Sequence, residues 1–251
     1  MGLYKRFKKG VRAILRSTGF DMVRPAGSRR AVVLRYHGIQ TVIDVGANRG
    51  QYGAELRAWG FKGKIISFEP TSAAFKLLSK RAATDARWSV FNFAIGAENS
   101  EAEINVASGS GVASSLMPMD DPLRRSAPEI KYIATERVAV KTLDSALANV
   151  INPNEILMLK LDVQGFEHFV LRGATAILSQ VSLVECELSF VSLYEGQWLF
   201  PQMLTLLDTL GFVPISFTSV FSDAVSGHCL SIDGTFGRKD IEVRAPGVPI
   251  R

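Results

Sequence analysis

The sequence predicts an α/β protein built on a doubly wound, mostly parallel sheet with an antiparallel edge strand. Two observations predict it. From about residue 31 onward, short continuous apolar runs alternate with amphipathic helical stretches, the pattern of a sheet covered on both faces. Near the end, two strand-like runs (213–217 and 229–232) follow one another with no helix between them, which suggests an antiparallel edge. At 251 residues and 47% hydrophobic, the chain is long enough for one sizeable core.

The elements follow in order. VIDV (42–45) reads as the first strand and 51–59 as a helix. Gly63 punctuates a second strand at 64–68. A helix at 72–83 follows Pro70, with Thr71 or Ser72 as its N-cap. Strands are expected at 88–95, 101–106 and 138–141, the last leading into a short helix at 143–150. The run 156–161 is a continuous apolar strand except for Lys160, a charge that needs a partner and reads as half of a structural ion pair. Helix 166–178 gathers Phe166, Phe169, Val170, Ala174, Ile177 and Leu178 on one face and leaves His168 on the opposite, solvent-facing side. Strand 181–186 and helix 200–210, closed by Gly211, complete the pattern. The stretch 107–136 breaks the rhythm with Gly, Ser, Pro and charges, and is expected to be a structureless lid or acceptor loop.

Residues 1–30 differ in character and are read as a basic N-terminal extension to a domain spanning 31–251. Leu3, Phe7, Val11, Ile14 and Leu15 form one apolar stripe, while Lys5, Arg6, Lys8, Lys9, Arg12 and Arg16 supply charge. Such a helix either packs on the domain or makes peripheral contact with an anionic membrane through residues 1–20. The net charge of +5 and the scatter of basic residues provide no nucleic-acid reading motif, so no nucleic-acid partner is expected. No apolar run approaches a membrane span, and no secretory h-region is present. Cys186 and Cys229 form no paired motif, as in a reducing compartment. Together these features describe a cytoplasmic protein, at most membrane-peripheral.

The most informative stretch is TVIDVGANRGQYG (41–53). In a doubly wound sheet, ligands bind beyond the carboxyl ends of the strands, where Asp44 closes the first one. Gly46 and Gly50 bracket Ala47, Asn48 and Arg49 in the turn, and the helix from Gln51 aims free amides at a ligand. A dinucleotide site would read GxGxxG; DxGxxxG puts a carboxylate where a pyrophosphate would sit badly. A ligand carrying positive charge fits better, and S-adenosylmethionine has both an ammonium and a sulfonium group. Glu69, ending the second strand in ISFEP, is placed to accept hydrogen bonds from both hydroxyls of an adenosine ribose.

VIDVGANRGQYG, ISFEP, FNFAIG, KTLD and LKLDVQGFEHFVLRGA occur in that order, and over residues 40–236 the chain resembles the FkbM-type methyltransferases. The resemblance implies the class I, Rossmann-like fold with a seven-stranded sheet, S-adenosylmethionine as cofactor, and O-methylation of natural products or of sugars in glycans and glycolipids. It also implies that Asp44, Gly46, Ala47, Asn48, Gly50 and Gln51 hold the methionine part, that Glu69 and Pro70 lie at the ribose, that Asn92 and Ala94 lie near the adenine, and that Asp162 sits by the methyl group. One departure stands out: the family segment DVEG reads DVQG here, with Gln164 in place of the acid.

A sugar hydroxyl is a weak nucleophile, so a general base is useful. Asp162 at the end of its strand, Glu187 (one pleat from Glu185) and His228 before the last strand are the catalytic candidates. No metal-ligand spacing is present and no metal is assigned, although a divalent cation bridging Asp162 and Glu187 is an alternative. The aromatics of 188–200 are expected to build an acceptor pocket. Two rival readings stand beside the O-methyltransferase: a nicotinamide-dependent oxidoreductase, and an inactive methyltransferase-like binding module.

Overall fold

The computed structural model describes residues 26–239. The basic amphipathic stripe and the membrane contact expected at 1–20 lie outside the described residues. Among those described, no helix is long and apolar enough to cross a membrane.

Helix α1 (Ala26–Tyr36) runs across the boundary expected at residue 30 and buries Ala31 and Leu34, so it belongs to the domain. Then come β1 (Thr41–Val45), α2 (Gln51–Ala58), β2 (Lys64–Phe68), α3 (Ser72–Ala82) and β3 (Trp88–Phe91). Next are β4 (Ala94–Ile95), β5 (Ser100–Ala107), α4 (Asp121–Ser126), β6 (Tyr132–Lys141) and α5 (Leu143–Leu147). The chain continues with β7 (Leu157–Leu161), α6 (Glu167–Arg172), a 3-10 turn (Ile177–Gln180), β8 (Val181–Ser189), α7 (Phe200–Thr209), β9 (Phe212–Ser222) and β10 (Cys229–Arg238). Seven strands form one sheet in the order β3-β2-β1-β7-β8-β10-β9. The first five are parallel and β10 runs antiparallel to both β8 and β9, so the seven-stranded α/β sheet with an antiparallel edge is present as expected. A second sheet, β4-β6-β5, packs beside it.

The two faces follow from the period of two along each strand. Ile43, Val45, Leu159, Leu161, Val184 and Cys186 point to one side, where they meet Val170 and Leu171 of α6 and Met203 and Leu207 of α7. Val42, Ile65, Met158 and Leu183 point to the other, against Leu34, Leu56 and Leu78. On this second face the chemistry changes one pleat further along. Register pairs Asp44 with Ser67 and Lys160, and Lys160 with Glu185. An apolar row across four strands is thus followed by a polar row, two residues nearer the carboxyl edge.

Several sequence expectations are corrected here. The strand expected at 88–95 stops at Phe91, where the Asn92 side-chain amide donates to the carbonyls of Glu69 and Pro70 at 2.9 and 3.0 Å and sends the chain into the second sheet. The stretch 107–136 is not structureless. It ends β5, forms α4 behind the N-cap Asp120, begins β6, and buries Ala113, Met117, Met119, Leu123 and Ala127. The helix expected at 166–178 ends at Arg172 with Gly173 as its C-cap, and glycine is required there because a side chain would meet the Gly96 carbonyl at 2.0 Å. Asp144 then caps the 3-10 turn, accepting from the amides of Ala176 and Ile177 at 2.9 Å each. The last two strands are longer than their apolar runs, since glycines interrupt the pattern of β10; a Cβ on Gly234 would lie 2.6 Å from the Phe236 ring.

Candidate active site

At the carboxyl edge of β1, β2 and β7 lies a cavity of about 300 Å³. The turn after β1 forms its floor. Gly46, Asn48 and Gly50 all have left-handed backbone, with φ of 79°, 48° and 78°. The amides of Gly46 and Ala47 both donate to the Phe68 carbonyl at 3.0 Å, and the Asp162 amide donates to the Val45 carbonyl at 3.1 Å, tying three strand ends together. Gly46, Ala47, Asn48 and Gln51 line the cavity. Gly50 does not: its missing side chain makes room for Leu78 and Trp88, which a Cβ would meet at 2.8 and 3.2 Å.

Glu69 reaches the cavity from the end of β2, beside Pro70. Its Oε1 accepts from the Thr71 amide (2.9 Å) and hydroxyl (2.5 Å), while among the described residues Oε2 accepts only from the Asn48 amide at 2.9 Å. One carboxylate oxygen has about two acceptor positions, so Oε2 has one left. This allows one ribose hydroxyl where the sequence suggested two. Burial pushes the Glu69 carboxyl up, opposed by the Thr71 and Asn48 donors.

Asp44 is corrected from its expected contact with the ligand. It is completely buried and lies behind the cavity wall. Its carboxylate is 3.1 Å from Lys160 Nζ, and it accepts from the Ser67 hydroxyl, which in turn accepts from the Trp88 indole. Lys160 also sits 3.3 Å from Asp162 and donates to the Gly46 carbonyl, so the structural ion pair expected for it exists. Burial alone would drive off its proton, but the charges of Asp44 and Asp162 outweigh burial and raise its pKa. Asn92 likewise does not line the cavity, whereas Ala94, Phe93 and Asp162 do.

The catalytic candidates separate. Asp162 faces the cavity. Glu187 does not; it lies behind Gln164, whose amide donates to Asp162 at 2.6 Å and to Glu187 at 3.0 Å. That amide stands between the two acids, in the place a bridging cation would need. The Tyr194 hydroxyl donates to the Gln164 oxygen at 2.6 Å and Ser231 donates to Glu187 at 2.6 Å, completing a chain of bonds. Burial, with the Asp162 charge, pushes Glu187 up to about 8. His228 is exposed between β9 and β10 and is not part of the cavity wall. His168 is buried, not solvent-facing: its ring stacks 4.7 Å from Trp198 with planes 3° apart, and burial lowers it to about 4. Of the aromatics in 188–200, Trp198 stacks on His168 and Tyr194 is buried, while Phe190 is exposed with its ring against Phe200, and none of that segment lines the cavity.

Three features were not read from the sequence. Arg30 of α1 enters the cavity wall, bonding Glu185 at 2.6 and 3.0 Å and lying over the Tyr52 ring at 4.6 Å. The start of the 107–136 stretch roofs the site, fastened by Asn48 to the Ser110 carbonyl and Arg49 to the Gly109 carbonyl at 3.3 and 3.2 Å. Tyr52 lines the cavity, and its buried hydroxyl has no partner among the described residues.

Beneath the site, buried Glu167 accepts from the amides of Val163 and Gly165, and burial pushes its carboxyl up to about 7. The folded pKa lies above the ordinary value of 4.5, so the native state holds a proton that the unfolded chain releases. Stability therefore falls as pH rises from about 4.5 to 7, by about 3 kcal/mol for this group. Glu167→Gln keeps the acceptor oxygen and removes the charge. Urea denaturation at pH 5 and 8 is expected to show a smaller loss in the variant.

Comparison with known proteins places this geometry. Residues 44–214 match the methyltransferase FkbM domain, and the chain belongs to that family. Among solved structures, the chain is similar to a protein provisionally described as an O-methyltransferase from Klebsiella pneumoniae, with 9% identity over 87% of this chain and 81% of that one and a TM-score of 0.48. It is also similar to a ribosomal protein L11 methylase from Lactobacillus delbrueckii subsp. bulgaricus, with 13% identity over 85% and 75% and a TM-score of 0.43. No curated protein sequence matches.

Proposed function

We propose that the protein is an S-adenosylmethionine-dependent O-methyltransferase whose acceptor is a hydroxyl, in the first place of a sugar in a glycolipid, glycan or glycosylated small molecule. The charge of the cavity carries the reading. Glu55, Glu69, Asp162, Glu185 and Asp233 line it against only Arg30 and Lys160. An anionic pyrophosphate would be repelled there, whereas a ligand with ammonium and sulfonium groups is attracted. The residues fit this cofactor. The Gly46–Asn48 turn and Gln51 would hold its methionine part, Glu69 Oε2 a ribose hydroxyl, and Phe93 and Ala94 would flank the adenine. Tyr52 offers an unmatched hydroxyl within the same walls.

When bound, S-adenosylmethionine supplies an already activated methyl group. The task left to the chain is to align the acceptor oxygen and keep water away. The loop fastened over the site by Asn48 and Arg49 supports the second role.

Calorimetric titration with S-adenosylhomocysteine tests the cofactor. The intact protein is expected to bind it, and Glu69→Ala to bind about 10- to 100-fold more weakly, the worth of a hydrogen bond to a charged group. Binding of reduced nicotinamide dinucleotide in its place, by a protein that ignores S-adenosylhomocysteine, would overturn the reading.

A further inference from the structure

Four of the five cavity carboxylates are already engaged. Glu69 holds Thr71 and the Asn48 amide. Glu185 grips Arg30 with both oxygens, and Glu55 lies 3.3 Å from the same guanidinium. Asp162 sits 3.3 Å from Lys160 and accepts the Gln164 amide. Asp233 differs. It lines the cavity, and no hydrogen bond or ion pair engages its carboxylate among the described residues.

Its position is set by the sheet. On β10 it is in register with Glu187, and Thr235 with Glu185, so it shares the polar face that carries Lys160 and Glu185. Asp233, Glu185 and Arg30 also line a recess of about 50 Å³ between α1 and the β9–β10 pair, so Asp233 stands where the main cavity meets this second space. We infer that Asp233 is the general base that accepts the proton of the acceptor hydroxyl, an inference that rests on the O-methyltransferase reading.

The alternatives are weaker on geometry. Glu187 is covered by Gln164, Glu185 is clamped by Arg30, and His228 lies away from the cavity wall. As the acceptor oxygen bonds to the methyl carbon, the carbon–sulfur bonding pair returns to sulfur. The acceptor proton passes to the Asp233 carboxylate, which becomes the neutral acid and releases it to water.

The charged and titratable groups around Asp233 are Glu185 and Glu187 on β8, Lys160 on β7 and Asp162 just after it, Arg29 and Arg30 on α1, and Tyr52 and Glu55 on α2. Burial, then Glu185 and Asp162, push its carboxyl up to about 6, against Lys160 and Arg30. A base in this range is ionised at neutral pH yet still takes a proton readily. The surrounding carboxylates also favour neutral or cationic acceptors over phosphorylated ones.

The test is Asp233→Asn, read by S-adenosylhomocysteine binding, by carboxyl 13C NMR titration of the free protein, and by labelled-methyl transfer from S-adenosylmethionine to methyl glycosides and catechol. Cofactor binding is expected to weaken by no more than about 3-fold, since four other cavity carboxylates remain, with one carboxyl titrating near 6 absent from the variant. Transfer should fall by about 100-fold or more, with the acid limb of the pH–kcat/KM profile lost. Asp233→Ala, with formate added to restore part of the rate, is measured alongside in case the amide disturbs folding. Variants that transfer at the wild-type rate with the limb intact, or no such titrating carboxyl, would overturn the inference alone. Wild-type protein that binds S-adenosylhomocysteine but methylates none of these hydroxyls would overturn the O-methyltransferase reading, and this inference with it.

Discussion

Lys160→Met is expected to destabilise the protein by about 3–5 kcal/mol, because removing one partner leaves the other charge buried and unpaired. Asp44 is fully buried and Lys160 is its cation, 3.1 Å away on the neighbouring strand. The Ser67 hydroxyl alone cannot replace it. The reverse change, Asp44→Asn, is expected to cost less, since Lys160 keeps Asp162 at 3.3 Å and the Gly46 carbonyl. Guanidinium melts of the two single variants and the double variant decide the matter. If the ion pair is the cause, the double variant should be more stable than Lys160→Met alone. A Lys160→Met protein as stable as the wild type would refute the account.

Gly46→Ala is expected to do comparable damage and to abolish cofactor binding. At φ +79° an alanine costs about 1–2 kcal/mol from backbone sterics alone. The added Cβ would also lie 1.9 Å from the Asp162 carbonyl, a backbone atom fixed by the β1–β7 pairing. Neither side can yield without parting the strand ends, so a total loss of about 4 kcal/mol or more is expected. Thermal melting with and without S-adenosylhomocysteine reads both effects. Gly111→Ala is the contrast. It also has positive φ (+73°), but its nearest neighbours, Ser114 and Asn48 side-chain atoms, are at 3.6 and 3.8 Å, so only the conformational cost remains.

The sheet was legible because its strands are written in apolar runs whose spacing follows from burial on both faces. The same runs betray the site: Asp44, Lys160 and Glu185 are polar intrusions at one level of adjacent strands. What could not be read was direction. Sequence places Asp44 at a strand end, but only the register shows that Lys160 claims it and turns it from a ligand group into a buried counter-ion. Glu187 was singled out for lying one pleat from Glu185, yet Gln164 covers it. Asp233 was passed over because Gly234 and Gly237 disguise β10, and Arg30 because α1 has no clear apolar stripe. His168 misled through helical phase alone: its helix is sandwiched, with Trp198 arriving from a segment thirty positions along the chain (198 − 168).

The meeting of Arg30 and Asp233 at one cavity has a consequence for biogenesis. The first described helix and the last described strand wall the same space, although two hundred and three positions separate these residues (233 − 30). On a chain still emerging from the ribosome, β1, β2 and the glycine turn come first, and Asp162 after β7, which faces the same cavity, comes later. The chain has no Asp233 until β10 arrives. Under the inference drawn above, the site is complete only when β10 has paired with β8, long after β1 and β2 have been made.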